Sequence, residues 1–229
     1  FTLLLIGMTT NVSSVTSLVS NQRTTIEVPK EYRTIQEAID AASRGNIIYV
    51  SKGTYSEHLS ITKDDLRLIG EDTDTTIIDG NHTGTVVSVS ANNVTITGFT
   101  IRRSGADGEG FYLDNSNDTL IANNTCDNCN VGISLTHSCN NKIIGNTVSN
   151  NGEGIVLAVK STHNVISSNT VTNNIQGINI RAYATNNTIS ENIITNNQYS
   201  GIYISLSNDN VITGNTIVKL SKNGIELSE

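Results

Sequence analysis

The sequence predicts an all-β chain wound into a parallel solenoid, one strand stacked on the next. Residues 128–219 consist of four consecutive 23-residue blocks, NCNVGISLTHSCNNKIIGNTVSN, NGEGIVLAVKSTHNVISSNTVTN, NIQGINIRAYATNNTISENIITN and NQYSGIYISLSNDNVITGNTIVK. Each block repeats the same residues at the same places. Asn141, Asn164, Asn187 and Asn210 recur at one position, Ile143, Ile166, Ile189 and Ile212 at a second, and Asn146, Asn169, Asn192 and Asn215 at a third. Helical periodicity is absent from the blocks. Short alternating stretches such as 201–204 place Ile202 and Ile204 on one face and Tyr203 on the other, as a strand does.

If each block is one turn of a coil, equivalent residues lie about 4.8 Å apart along the axis. Asn side chains in register can then bond to one another and to turn backbone as ladders. The Ile rows, with Val148, Val171, Ile194 and Ile217, supply a stacked apolar interior. Toward the N-terminus the period weakens, yet 93–98 (NVTITG) and 65–70 (DLRLIG) echo 210–214 (NVITG). About eight coils, the last incomplete, make a rod on the order of 40 Å long. One helix is expected over 34–45, with Thr34 and Glu37 spaced as a capping box, Gly45 at its stop and Ile35, Ala38, Ile39 and Ala42 as its apolar face. It would cover the first coil, whose strand edge is otherwise open. The chain thus divides into a tail at 1–24 and a solenoid at 25–229.

The stretch YRTIQEAIDAASRGNIIYVSKGTYSE (32–57), followed by LRLIGED and TTIIDG, resembles the N-terminal part of right-handed parallel β-helix proteins. These include pectin-degrading enzymes and the periplasmic β-helix proteins of copper-enzyme maturation. The resemblance spans about residues 25–229. It implies a right-handed single-stranded helix and leaves function open among lyases, hydrolases, esterases, epimerases, adhesins and structural rods. A copper-maturation accessory role rests on this resemblance alone.

A net charge of −7 without a basic stripe argues against nucleic acid and anionic membranes as partners. A polyanionic polysaccharide would need bridging calcium. Sequons at Asn11, Asn81, Asn93, Asn117, Asn123 and Asn186 are candidate glycosylation sites if the protein is secreted to the cell surface or beyond. Cys126, Cys129, His137 and Cys139 have spacings reminiscent of zinc ligands. The solenoid register turns Cys126 into the interior row of Val148 and sends Cys129 and Cys139 to different corners, so a buried thiol plus one candidate disulfide is the better reading.

The opening FTLLLIGMTTNVSSVTSLVS has an apolar run of about eight residues, whereas a membrane span needs roughly 20. It can be read as the end of a secretory signal, as a segment resembling processed type IV pilins, or as a strand that docks on a sheet edge. The chain stops one strand into a new coil. Leu3, Leu4, Leu5 and Ile6 on one copy and Ile225 and Leu227 on another are therefore candidate contacts of a head-to-tail homopolymer.

No pattern for catalysis emerges: Gly-His-Gly, Arg-x-Lys, Gln-Asp-Thr-Leu and Asp-Phe-Ile-Phe-Gly, expected from the resemblance, are missing. The best acidic cluster is Asp107, Glu109 and Asp114 beside Arg102 and Arg103, a candidate calcium site. His58, His82, His137 and His163 fall in separate coils. Tyr112, Arg181, Tyr183, Tyr199 and Tyr203 form a candidate glycan-binding set, since aromatic rings with a few polar groups suit sugar faces. The two functional expectations are an extracellular, non-catalytic, self-assembling structural protein and a polysaccharide-binding or polysaccharide-degrading protein.

Overall fold

A computed structural model describes residues 24–218 and 222–228. The apolar tail, with Leu3, Leu4, Leu5, Ile6 and Asn11, lies outside the described residues. The strands form three parallel sheets of nine, eight and eight strands, each coil after the helix contributing one strand to each sheet in turn. The first sheet begins at Thr25–Val28 and Ile47–Val50 and ends at Val211–Thr213. The second runs from Gly53–Tyr55 to Thr216–Val218, the third from Leu59–Ile61 to Ile225–Ser228. The strand at 25–28, ahead of the helix, extends the expected coils to nine in the first sheet.

Stacking in register is what closes the core. In the first sheet Ile26, Ile48, Leu68, Ile96, Ile121, Ile143, Ile166, Ile189 and Ile212 form one unbroken row. Cys126 stands between Ile101 and Val148 in the second sheet, fully buried as the register requires. Ile202 is buried and Tyr203 half-buried on the opposite face.

The Asn positions form the expected ladders. Asn164 gives its backbone N–H (2.9 Å) and its Nδ2 (3.0 Å) to Oδ1 of Asn187, and Nδ2 also reaches the Ser138 carbonyl in the coil before (2.9 Å). Its own Oδ1 accepts from the N–H (2.9 Å) and Nδ2 (3.1 Å) of Asn141, so the amide is satisfied at both ends although it is fully buried. A third ladder, Asn151, Asn174 and Asn197, starts one coil later, with Cys129 at its place in the coil before. Asn also fills the sharp corners: Asn93, Asn140 and Asn186 at one corner, and Asn128, Asn150, Asn173 and Asn196 at another, have φ between 54° and 59°. Asn tolerates this left-handed backbone better than most L residues, so its abundance has two physical causes.

The helix, α1, spans Ile35–Ala41, with the capping box of Thr34 and Glu37 formed and Ile35, Ala38, Ile39 and Ala42 buried. It ends before Gly45, because Ala42 is already extended (ψ 144°). Charges from the first complete coil fix both ends. The Glu57 carboxylate accepts from the N–H groups of Ile35 and Gln36 at 3.0 Å each, and Lys63 Nζ donates to the carbonyls of Ile39 (3.1 Å) and Ala42 (2.9 Å). An anion at the N-terminus and a cation at the C-terminus each match the helix dipole.

Candidate functional site

The third sheet has the longest strands, and its outer face carries the expected tyrosines. One outward row reads Tyr112, Ser134, Val156, Asn179, Tyr203 and Glu226 along successive coils. Tyr112 and Tyr203 share that row but stand four strands apart, about 19 Å. Tyr203 and Tyr199 converge on a cavity of about 300 Å³, together with Gln176, Asn179, Lys222 and Glu226. Lys222 Nζ lies 4.2 Å from the centre of the Tyr199 ring, a cation–π contact. Ser200 and Asn223 donate to the Glu226 carboxylate and hold its pKa below the ordinary value.

Gln176 and Asn179 lie on the strand Gln176–Ile180, beside a column of stacked glycines. A Cβ at Gly177 would lie 2.2 Å from the Gly201 carbonyl oxygen, so glycine there lets adjacent coils approach closely beneath the cavity. Arg181 does not line the cavity. Its Nη1 donates to both oxygens of Glu153 (3.1 and 3.0 Å), and Glu153 in turn accepts from Asn179 Nδ2 at 2.7 Å. Arg181 therefore orients the cavity floor through Glu153. Tyr183, 63% exposed, lines a separate recess with Ile204, Leu206 and Leu227. Gln176, Asn179, Lys222 and Glu226 were not among the expected site residues; the adjacency of Asn179 and Tyr203 follows from the 24-residue register step, but the alternating strand pattern gave no reason to single out a lone amide.

The other expected clusters disperse. Asp107 sits at the lip of a shallow recess with His82, the Glu109 carboxylate bonds to Thr85, and Asp114 faces His137 at 3.6 Å. Among the described residues no three His, Cys, Asp or Glu side chains converge as metal ligands. Arg102 and Arg103 instead clamp Asp79, a fully buried carboxylate of the preceding coil. Burial pushes that carboxyl up, but donation from Arg103, the Asn81 N–H and Arg102 outweighs it and lowers the pKa to about 2. Cys126, Cys129 and Cys139 are all free, and burial pushes the Cys126 thiol well above its ordinary pKa. Of the sequons, Asn81, Asn93, Asn123 and Asn186 are exposed at corners with φ of 50–56°. The Asn117 side chain is engaged at both ends, with Cys139 N–H (2.9 Å) and Asn92 Oδ1 (3.0 Å).

A family model for a periplasmic copper-binding protein, NosD, matches residues 9–219. A cell surface glycoprotein of Methanothermus fervidus is 34% identical over 109 residues, 46% of this chain and 17% of its own length. The chain spans only 14% and 17% of the curated relatives it matches. Among solved structures, the ORF18 protein of Geobacillus virus E2 superposes with a TM-score of 0.78 at 17% identity, over 89% of this chain and 50% of that one. The catalytic domain of a GH87 α-1,3-glucanase in complex with nigerose gives 0.68 at 17% identity, over 86% and 45%. At these identities the structural likenesses bear on the fold.

Proposed function

The chain belongs to the NosD family, and from that premise we propose a β-helix of the cell envelope or cell surface that binds saccharide on the outer face of its third sheet. The observation that carries the reading is the convergence of Tyr199 and Tyr203 with Gln176, Asn179, Lys222 and Glu226 around one cavity. Flat apolar rings beside a few fixed donors and acceptors match the two kinds of surface a sugar presents. The family's periplasmic description and the relative's name both support a location outside the cytoplasm. No helix among the described residues is long and apolar enough to cross a membrane. Use of the same fold by a glucanase with bound nigerose supports a saccharide ligand.

The family description implies copper, which takes thiolate, thioether or imidazole donors. The described residues do not fit such a site. His58 is bonded through both ring nitrogens, to the Thr85 carbonyl (2.7 Å) and to Thr83 Oγ1 (3.0 Å), and the Cys126 thiol is sealed in the core. The saccharide reading requires no metal, and Asp107, Glu109 and Asp114 do not converge.

A test is to screen the full chain on a glycan array, then titrate the best ligand into the wild type and Tyr203→Ala. A loss of about tenfold in affinity with an unchanged fold supports the site; equal affinities would refute it. A second reading, head-to-tail assembly into filaments, draws on one observation. Ile225 and Leu227 on the last strand are 48% and 75% exposed. Filaments visible by electron microscopy and lost on Leu227→Asp or on deletion of residues 1–20 would support it, whereas unchanged assembly would remove both contacts from the account.

A further inference from the structure

Within the saccharide reading, we propose that the cavity on the third sheet selects an acetamido group, the N-acetyl substituent of a 2-acetamido sugar. Two polar atoms on its floor carry the argument. Gln176 Nε2 and Asn179 Oδ1 are buried and have no hydrogen-bond partner, and both residues line the cavity. Asn179 is only 6% exposed. Its amide orientation is set, because Nδ2 donates to Glu153 and Glu153 is held by Arg181. Oδ1 therefore faces away from that pair as an unmatched acceptor. Leaving such groups unmatched forfeits their hydration with nothing in return, so a ligand that pairs with them gains more than one that meets a wet surface.

Asn179 Oδ1 is held as an acceptor by the Glu153 bond, while the Gln176 amide makes no hydrogen bond of its own and is free to give Nε2 to a ligand carbonyl. The two residues are three apart on one strand, so their Cα atoms are about 10 Å apart. Both residues line the one cavity, and a secondary amide carries an N–H and a C=O in a single flat group, so it can meet an acceptor and a donor together. Its N–H would donate to Asn179 Oδ1, its carbonyl would accept from Gln176 Nε2, and its methyl would lie against a tyrosine ring. The cavity also carries one cation, Lys222, and one anion, Glu226, which gives no net preference for a charged ligand. A hydroxyl both donates and accepts, so either floor atom could take one. It would not distinguish the pair, whereas an amide uses both atoms in one orientation. Tyr203 stands in register beside Asn179.

The test compares tetra-N-acetylchitotetraose with cellotetraose, which share a β-1,4 glucan backbone and differ in the acetamido group, by calorimetric titration of the full chain. The expected result is at least about tenfold tighter binding of the acetylated chain, with the difference erased by Gln176→Met. Because that change replaces an unmatched buried polar group by an apolar one of similar shape, it should also raise Tm by about 2–4 °C. Equal affinities for the two chains would overturn the acetamido assignment while leaving the saccharide reading in place. Binding of other glycans on the array but neither tetramer would do the same. Failure to bind any glycan would bring down both. A Gln176→Met variant that loses selectivity only by losing Tm would show a structural role and overturn the assignment.

Discussion

The two halves of the solenoid solve the same problem differently. From the first-sheet row, the step from Leu68 to Ile96 takes 28 residues, Ile96 to Ile121 takes 25 and Ile121 to Ile143 takes 22. Thereafter each step to Ile166, Ile189 and Ile212 takes 23. Where the step is constant, buried corner amides meet identical neighbours, and one residue type repeated at one position satisfies them all. Where the step varies, each coil needs its own device. Asp79 with Arg102 and Arg103, Glu57 and Lys63 at the ends of α1, and the buried rings of Phe99 and Phe111 belong to that half. The cavity of Tyr199 and Tyr203 lies in the regular half, on a face whose shape is set by ladders and stacked glycines rather than by a long loop.

The sharpest break in the irregular half is to strip Asp79 of its charged partners. Arg102→Ala with Arg103→Ala leaves a fully buried carboxylate with only the Asn81 N–H and should cost about 3–5 kcal/mol in urea unfolding. In the regular half, Asn169→Leu removes the acceptor of Asn146 N–H and Nδ2 and the donor to the Ile143 carbonyl. A cost of about 3 kcal/mol is expected, with hydrogen exchange rising in the coils either side of 169 and little change before residue 100. A uniform rise would mean that the halves do not behave separately.

Acid should act on the irregular half first. The folded pKa of Asp79 is about 2 against an ordinary 3.8, so its stabilisation is complete above about pH 4 and is lost as pH falls through 2. The loss amounts to about 2 kcal/mol, and Asp79→Asn should abolish that pH dependence; a slope that survives the substitution would assign it elsewhere. The smallest effect concerns the thiols. Native protein should be alkylated at the half-exposed Cys139 and not at buried Cys126 or Cys129, which mass spectrometry of iodoacetamide-treated protein checks.

The repeat made the solenoid legible because stacking forces identity: the Ile rows, two of three Asn ladders and the inward turn of Cys126 all follow from period alone. The third ladder escaped because Cys129 occupies its position in the coil before Asn151. Tyr199 and Tyr203 were legible as outward aromatics near a turn. Their partners were not, because Gln176 and Asn179 meet them through a coil step, and their unmatched atoms depend on where Glu153 and Arg181 point. Asp79 escaped for a similar reason: its arginines were read with the acids beside them in sequence, while the strand register pairs Asp79 with Arg102 across coils.

The most direct test of the central claim is a ¹⁵N-resolved NMR titration of the full chain with the best ligand from the glycan array. The account predicts shifts confined to the amides around 176–181, 199–205 and 222–226, and their absence in Tyr203→Ala. Shifts that cluster elsewhere, or that persist unchanged in Tyr203→Ala, would contradict it.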